Sequence, residues 1–428
     1  MATSERTLQQ TKPWHLVRAR HESLFSPHQR YWYQNVGYVL GSLLNSSGYA
    51  QMSQINILHR FANLVTPHLG SAFRIGLPRW RSFMTDDFTP VQLSWDFHTG
   101  TEKPTISYSI EPIGLDAGTA ANLQNARAAE DFKKGLLEAF PETNTTLFEH
   151  FRSCFDQMWI GCGPGHQSTM FWGFTLEENA ITNKACFFPG AMARATHQPT
   201  LAVIRGAVES VPGYSQGKLA SFKPFVDYVS QRQELRLEIE MFALDLVKED
   251  ESRLKVYFRD RRTNFEAVKE TMSLEGRLQE PSFEVGIQKL RRLWDALLGT
   301  QGVPDNVALP YKNHRTAGIL YHFEFGMDGQ PPKIRVYMPV RHYAENDQQT
   351  LNALTGFMDE EAVEYGSQTF LESATRYSEC LQSTFDSSAL ENSLGVQTYI
   401  SCSIETDGNM RIVSYINPQV GKLRNRVL

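Results

Sequence analysis

Hydrophobic and polar residues alternate along ten short stretches of the chain, and a polar turn joins each stretch to its pair. In RLKVYFRD, residues 253–260, Arg253, Lys255 and Tyr257 lie on one side of a strand, and the intervening Leu, Val and Phe lie on the other. The segment therefore has a cationic face and an apolar face. For a single strand, a solvated outer face is the simpler interpretation.

The paired stretches predict five β-hairpins, each formed by two strand-like runs around a turn rich in Gly, Asp, Asn, Glu or Pro. The predicted hairpins span 91–113, 169–188, 237–260, 318–340 and 398–416. Between them the apolar residues recur with a helical period, which predicts helices within 28–48, 119–140, 283–299 and 360–382. The chain is therefore predicted to repeat a unit of helices followed by a hairpin five times.

Basic residues recur on one face of the second strand in four hairpins. They are Lys184, Lys255, Arg335 and Arg411, so the repeat is about 70–80 residues long. A tyrosine on the same face follows the basic residue in three of the four strands. This repetition weakens the interpretation of the cationic face as a solvated surface.

Five antiparallel hairpins leave exposed edges unless the sheet closes. We therefore predict an α+β fold, an antiparallel ten-stranded β-barrel ringed by helices, in one domain over 1–428 with a peripheral N-terminal segment at 1–27. Helices on the apolar face would turn the cationic face into the lumen. Because an unpaired buried cation costs several kcal/mol, the lumen must hold an anion, matching carboxylates or water. Convergent Lys, Arg and Tyr suit a polyvalent oxyanion such as pyrophosphate.

Composition excludes several classes of protein. The 428 residues are 41% hydrophobic and 21% charged, which is ordinary for a globular protein. A net charge of −5 without a basic domain argues against nucleic-acid binding. We find no signal peptide and no apolar run of membrane-spanning length, so we expect a cytoplasmic monomer or homodimer that does not bind membranes.

Neither cysteines nor carboxylates indicate a metal site. Five cysteines without C-x-x-C spacing predict neither a disulfide framework nor structural zinc. The acidic pair Asp86 and Asp87 lacks a third carboxylate, so we expect no metal. The glycine-rich segment 161–166 lacks the G-x-G-x-x-G spacing and is interpreted as a loop.

The order and spacing of several short motifs resemble those of the fungal dimethylallyltryptophan synthase family of aromatic prenyltransferases. The motifs are LVTPHLG (64–70), SFMTDDFTP (82–90), TPVQLSW (89–95), SIEPIG (109–114), KACFFP (184–189), RLKVYF (253–258), RVYMPV (335–340) and SYINP (414–418). The resemblance spans nearly the whole chain and implies an α-β-β-α prenyltransferase barrel. It also implies transfer of a prenyl group, usually dimethylallyl, from its diphosphate to an aromatic carbon, nitrogen or oxygen, with no required cofactor and no Mg²⁺.

The resemblance also implies site residues. The diphosphate-binding set is Lys184, Arg253, Lys255, Tyr257, Arg335, Tyr337, Arg411 and Tyr415. The tyrosines would also shield an allyl cation. Ile319 lies near the position where a bulky residue restricts the prenyl chain, which favours dimethylallyl diphosphate as the donor. The expected partners are this diphosphate and a small aromatic acceptor.

Three positions depart from the family pattern. Gln92 stands where tryptophan-type members have Glu, Ser107 where an Arg is common, and Cys186 where Tyr is usual. The changes fall on the acceptor half, so we expect an acceptor other than free tryptophan, either an indole-type alkaloid or a phenolic or polyketide compound. Gln92 is the candidate catalytic residue that contacts the acceptor, or alternatively a structural amide bonded within the barrel.

Other interpretations stay open. The barrel could serve another reaction, such as cyclisation, or bind a small molecule without catalysis. His322 in LYHFEF faces the lumen if its apolar neighbours fix the strand's phase, and is otherwise a satisfied polar residue. Glu111, at the end of a predicted strand, is interpreted as structural.

Overall fold

The computed structural model describes residues 12–73, 78–100, 102–155, 166–178, 180–213, 220–278, 282–327 and 330–420. Apart from its last residue, the glycine-rich loop at 161–166 lies outside these ranges. The strands are β1 Val91–His98, β2 Thr105–Ile110, β3 Met170–Leu176, β4 Ile181–Phe187, β5 Glu238–Asp245, β6 Arg253–Asp260, β7 Ile319–Gly326, β8 Lys333–Met338, β9 Gln397–Ile404 and β10 Met410–Ile416.

The ten strands form a closed antiparallel barrel. Each strand pairs with its neighbours in the sequence, and β1 closes the sheet by pairing with β10 as well as β2. The five hairpin turns all lie at one end of the barrel, called here the hairpin end. The connections that contain helices lie at the other, the helix end. The prediction of a ten-stranded barrel built from five hairpins is confirmed.

The helices surround this barrel. They are α1 Lys12–His21, α2 Pro27–Trp32, α3 Tyr38–Ser46, α4 Gln51–Arg60, α5 Ala128–Ala139, α6 Thr146–Phe155, α7 Gly190–Thr196, α8 Thr200–Glu209, α9 Lys223–Gln231, α10 Phe265–Met272, α11 Phe283–Leu298, α12 Val340–Tyr343, α13 Asp347–Tyr365, α14 Gln368–Thr384 and α15 Ser387–Asn392. The α9 residue Phe225 packs on the outer face, with its ring 5.0 Å from Phe258 of β6 and 4.9 Å from Phe323 of β7. Helices therefore cover the apolar face of the sheet.

Two helices differ from their predicted bounds. The segment 119–140 is helical only over α5, because the side chains of Asn122 and Asn125 accept backbone N–H bonds in the preceding turns and compete with a helix. The segment 360–382 contains two helices. Gly366, at φ 65°, ends α13, and the Ser367 hydroxyl accepts the Phe370 N–H to cap α14.

The N-terminal segment 1–27 is not peripheral over its described part. Trp14 and Val17 of α1 are 3% and 0% exposed. The Trp14 ring stacks on Tyr33 with 6.0 Å between centroids, and its Nε1 donates to the Tyr33 carbonyl oxygen. The prediction is therefore wrong for α1, which belongs to the core. In the described part of the chain, every helix is too short or too polar to cross a membrane.

Candidate active site

Strand register determines which side chains share the lumen. Lys255 pairs with Glu324 across β6 and β7, and Tyr257 pairs with His322. Directly paired residues point to the same face of a sheet, so the register can be followed around the closed barrel. It places Gln92 and the whole predicted diphosphate set on the lumen face: Lys184, Arg253, Lys255, Tyr257, Arg335, Tyr337, Arg411 and Tyr415.

Two carboxylates that the sequence analysis missed lie among these cations. Asp245 accepts a hydrogen bond from Arg253 Nε at 2.6 Å, and its other oxygen lies 3.5 Å from Lys255 Nζ. Glu324 lies 3.4 Å from the same Lys255 Nζ. Burial would raise the pKa of both carboxyls, but the nearby cations, Lys255 foremost, hold each pKa below its ordinary value. Both carboxylates are therefore ionised at neutral pH.

A further ion pair lies on the opposite wall of the barrel. Arg411 of β10 donates to Asp96 of β1, with distances of 2.6 Å from Nη2 and 3.0 Å from Nε. Burial would raise the pKa of Asp96, but the hydrogen bonds and charge of Arg411 outweigh it and lower the pKa. The positive charge of Arg411 is thus largely neutralised within the protein.

Two lumen cations, Lys184 and Arg335, have no carboxylate within 4.0 Å among the described residues. Arg335 donates from Nη2 to Ser403 Oγ at 3.3 Å, and its Nε is buried without a hydrogen-bond partner. Burial, together with the charge of Lys255, lowers the pKa of Lys184 to about 8. The predicted diphosphate set contains five cations, and three carboxylates (Asp96, Asp245 and Glu324) lie among them. The set therefore has an excess of two positive charges.

Tyrosine rings form a wall beside the cations. The ring of Tyr337 lies 6.1 Å from Tyr257, 5.5 Å from Tyr415 and 6.2 Å from Tyr399. Burial raises the pKa of Tyr257 and Tyr337 well above the ordinary value, so both remain neutral phenols. Their ring faces can attract a carbocation, and their hydroxyls can donate to an anion.

Apart from Asp96, the wall formed by β1 and β2 carries neutral polar groups on its lumen face. Gln92 donates from Nε2 to Thr398 Oγ1 at 3.0 Å, so its amide has a partner within the barrel. Ser107 pairs with Ser94 across the two strands. Positive charge is therefore concentrated on β4, β6, β8 and β10, and the β1–β2 wall is the less charged part of the lumen.

His322 lies in the lumen, in contact with the tyrosine wall. Its Nδ1 is 2.8 Å from Tyr337 Oη, and its Nε2 is 4.0 Å from Glu324 Oε2. Pairing with Tyr257 on one side and Arg335 on the other fixes its direction. The lumen-facing interpretation of this histidine is therefore confirmed.

Ile319 does not face the lumen, so its predicted place in a prenyl pocket is wrong. Alternation along β7 puts Ile319 on the outer face with Tyr321 and Phe323, where it is fully buried beneath the helices. The neighbouring Leu320 takes the inward position, opposite Tyr337 of β8. Both Ile319 and Leu320 are apolar, so the hydrophobic pattern could not fix the phase at this end of the strand.

Two ion pairs at the helix end were also missed. Arg259 continues the inward row of β6 and binds Glu240 through two hydrogen bonds, of 3.0 and 3.2 Å. Arg341 Nε lies 3.1 Å from Asp86, and its guanidinium lies over the Tyr399 ring at 4.8 Å. The inward direction of Arg259 could be predicted from the alternation along β6. The pairing of Arg341 could not, because it depends on contacts between distant segments.

One group of metal-ligand type also lies at this end. Ligand atoms of Asp86, His314 and His342 lie within 4.8 Å of one another. No sequence pattern indicated this group, because its three residues lie far apart along the chain. Thr316 Oγ1 is hydrogen-bonded to both imidazoles, at 2.9 and 2.8 Å, and Arg341 pairs with the carboxylate. These groups therefore have partners within the protein.

Comparison with known sequences identifies the family. The family described as tryptophan dimethylallyltransferase matches residues 28–373. The chain is 30% identical over 401 residues to 4-O-dimethylallyl-L-tyrosine synthase of Claviceps purpurea, covering 92% of this chain and 88% of the relative. It is 29% identical over 414 residues to 7-dimethylallyltryptophan synthase of Aspergillus fumigatus, covering 91% and 85%.

Solved structures share the barrel. AnaPT from Neosartorya fischeri superposes with a TM-score of 0.80 at 21% identity, covering 95% of this chain and 97% of that one. NotF in complex with brevianamide F and DMSPP gives 0.78 at 22% identity, covering 94% and 98%. At these sequence identities, the similarity to solved structures shows only that the fold is shared. The family assignment rests on the sequence match to the family, which covers most of the chain. The chain belongs to the tryptophan dimethylallyltransferase family and is an aromatic prenyltransferase.

Proposed function

We propose that this prenyltransferase moves a dimethylallyl group from dimethylallyl diphosphate to a small aromatic acceptor of fungal secondary metabolism. The observation that carries the proposal is the excess of two positive charges in the lumen, where Lys184 and Arg335 have no carboxylate partner within 4.0 Å among the described residues. A diphosphate ester is a polyanion with several acceptor oxygens. It would pair these two cations and share the donors of Arg253 and Lys255.

The charge distribution suits ionisation of the donor. The C1–O bond breaks, pyrophosphate leaves with the electron pair, and a dimethylallyl cation remains. Lys184 and Arg335 stabilise the departing anion, and one preorganised donor of this kind contributes about 10²–10³ in rate. Tyr257, Tyr337 and Tyr415 present ring faces to the cation, each contributing about 0.5–2 kcal/mol. Exclusion of water from the lumen strengthens both the stabilisation of the anion and that of the cation.

The acceptor then attacks the cation. Relatives named for prenylated tyrosine and tryptophan each match over nine tenths of this chain, which makes aromatic amino acids the first acceptors to test. Gln92 offers a neutral carbonyl and amide, so it can bond a phenolic hydroxyl but cannot supply the negative charge that helps an indole nitrogen. We therefore place a tyrosine-like phenol ahead of an indole as the acceptor.

A catalytically inactive binder of neutral metabolites is less consistent with this lumen. Holding two cations without carboxylate partners costs several kcal/mol unless an anion occupies the site. A binder of that kind would gain nothing from Lys184 and Arg335. A cyclase acting on a prenylated compound would likewise have no use for a diphosphate site.

The test is incubation of the purified chain with dimethylallyl diphosphate and a panel of L-tyrosine, L-tryptophan and a phenolic polyketide. Pyrophosphate release and the mass of the product are followed together. We expect equimolar pyrophosphate and prenylated product with at least one acceptor, and loss of both in the Arg335→Met variant. A parent chain that forms no prenylated product with any acceptor of the panel would overturn the proposal.

A further inference from the structure

Prenylation replaces a proton on the acceptor, so the lumen needs a group that can accept one. The inference below rests on the proposed function. The carboxylates Asp96, Asp245 and Glu324 are poor bases because cations hold each pKa low. Lys184 would be held as an ammonium by the diphosphate. Burial raises the pKa of Cys186 to about 12, so it remains a protonated thiol.

His322 differs from these groups because it offers an unprotonated nitrogen to the lumen. Its Nε2 faces Glu324 at 4.0 Å, and a carboxylate there favours the tautomer with the proton on Nε2. Nδ1 is then a hydrogen-bond acceptor, and Tyr337 Oη lies 2.8 Å from it. The phenol therefore donates to the imidazole.

Tyr337 joins this histidine to the place where the cation would form. Its ring contacts Tyr257, Tyr415 and Tyr399, so the phenol belongs both to the aromatic wall and to the pair with His322. A proton that reaches Tyr337 Oη needs to move only one hydrogen bond further to reach the imidazole.

We propose that Tyr337 and His322 form a proton relay for the acceptor. As the acceptor oxygen bonds to the prenyl carbon, its proton passes to Tyr337 Oη, and the proton of that phenol passes to His322 Nδ1. Pyrophosphate has already taken the electron pair of the broken C1–O bond, so charge balances. The imidazolium lies against Glu324. Tyr337 would touch the acceptor, whereas His322 acts through it as a positioning and proton-storing residue.

Donor binding sets the strength of this base. The groups that face His322 from the adjacent strands are Arg253, Lys255, Tyr257, Glu324, Arg335 and Tyr337. Burial first, and then the charge of Arg335, lower the pKa of His322 well below its ordinary value. A diphosphate bound to the same cations offsets their repulsion and raises that pKa. His322 therefore becomes an effective base only when the donor is present.

The test separates proton transfer from ionisation. His322→Asn keeps an acceptor oxygen near the position of Nδ1 but cannot bind a proton at neutral pH, and Tyr337→Phe keeps the ring but removes the hydroxyl. His197→Asn is the matched control, because this exposed residue at φ 54° lies on the outer surface after α7. Each variant is assayed for single-turnover product formation between pH 5 and 9, acceptor-free release of pyrophosphate, and affinity for a thiolodiphosphate analogue of the donor.

We expect His322→Asn to lower product formation by about 10²–10³-fold. Acceptor-free pyrophosphate release and analogue affinity should stay within threefold of the parent, because ionisation needs no base. In the parent, product formation should fall at acid pH as His322 becomes protonated, and this decrease should be absent in the variant. Tyr337→Phe should lower product formation to a similar extent and should also weaken analogue affinity, because its hydroxyl belongs to the predicted diphosphate set; His197→Asn should behave as the parent.

A purely structural role would lower product formation and acceptor-free release together, which would overturn the relay. So would a His322→Asn protein that forms product at the parent's rate with the same pH profile. Melting temperature verifies folding, and His322→Gln replaces the Asn variant if that protein does not fold. A parent chain that forms no prenylated product refutes the proposed function and the relay together, whereas an active parent with an unaffected His322→Asn variant refutes the relay alone.

Discussion

Loss of charge at Lys255 should destabilise the protein, whereas loss of charge at Arg335 should not, although both residues are predicted diphosphate ligands. Lys255 lies 3.5 Å from Asp245 and 3.4 Å from Glu324, and its side chain is 8% exposed. Arg335 has no carboxylate within 4.0 Å in the described part of the chain, and its Nε has no partner. Lys255 therefore supports the fold as well as the site, whereas Arg335 serves mainly the site.

The magnitudes follow from these partners. Breaking a buried ion pair on one side costs about 3–5 kcal/mol. Because Arg253 still pairs with Asp245 at 2.6 Å and lies 3.9 Å from Glu324, we expect Lys255→Met to lower the free energy of unfolding by only about 1–3 kcal/mol. Arg335→Met should not lower the free energy of unfolding of the ligand-free protein, because it removes a buried cation that has no carboxylate partner.

Both variants should lose about 10²–10³ in the single-turnover rate of prenyl transfer, because each removes a donor aimed at the leaving pyrophosphate. Arg335→Gln retains a neutral donor and should lose only about tenfold. The assay follows product at saturating acceptor, and melting temperatures report stability. Lys269→Met, on the outer surface of α10 with a side chain 47% exposed, is the control and should change neither quantity. A rate for Arg335→Met within threefold of the parent, or a destabilisation equal to that of Lys255→Met, would refute these roles for the two residues.

Three further predictions concern the acceptor, metals and pH. Gln92→Ala should raise the acceptor KM or lower kcat with little change in donor affinity, and Gln92→Glu should shift preference toward indoles; unchanged acceptor kinetics in both would exclude a role in recognition. Product formation should survive EDTA, because Lys and Arg side chains of the lumen already offer charged donors to the diphosphate, and a complete loss reversed by Mg²⁺ would contradict this. Glu111 accepts hydrogen bonds from Trp80, Ser82 and Ser168, and burial raises its pKa from 4.5 to about 7. Its stabilising contribution is therefore full below about pH 4.5 and is lost as pH rises through 7, so melting temperature should fall between pH 5 and 8, and Glu111→Gln should flatten that dependence.

The barrel could be predicted because the patterns that indicate it, alternation along each strand and polar turns, lie within short segments of the chain. Alternation in segments such as 253–260 fixes two faces per strand, and polar turns fix the hairpins. Repetition of a cationic face then requires closure, since a row of charges cannot lie beneath helices. The recurrence of Lys184, Lys255, Arg335 and Arg411 placed the polar face inward without knowledge of any long-range contact.

The features that could not be predicted from the sequence depend on contacts between distant segments, above all on the register between strands. Asp245 and Glu324 each stand near the end of a mostly apolar strand, where a single acidic residue resembles part of the turn. Only the pairing of β4, β5, β6 and β7 brings them to the cations. Ile319 was misplaced because its neighbour is also apolar. Burial of Trp14 likewise depends on its contact with Tyr33, which is not visible in the pattern of α1.

A structure of the chain with a thiolodiphosphate analogue of dimethylallyl diphosphate would test directly where the donor binds. We predict that the diphosphate lies inside the barrel, with phosphate oxygens within hydrogen-bonding distance of Lys184 Nζ and Arg335 Nη2. The dimethylallyl group should lie against Tyr257, Tyr337 and Tyr415. An analogue bound outside the lumen, or one that leaves both Lys184 and Arg335 without a phosphate partner, would contradict a diphosphate site in the barrel.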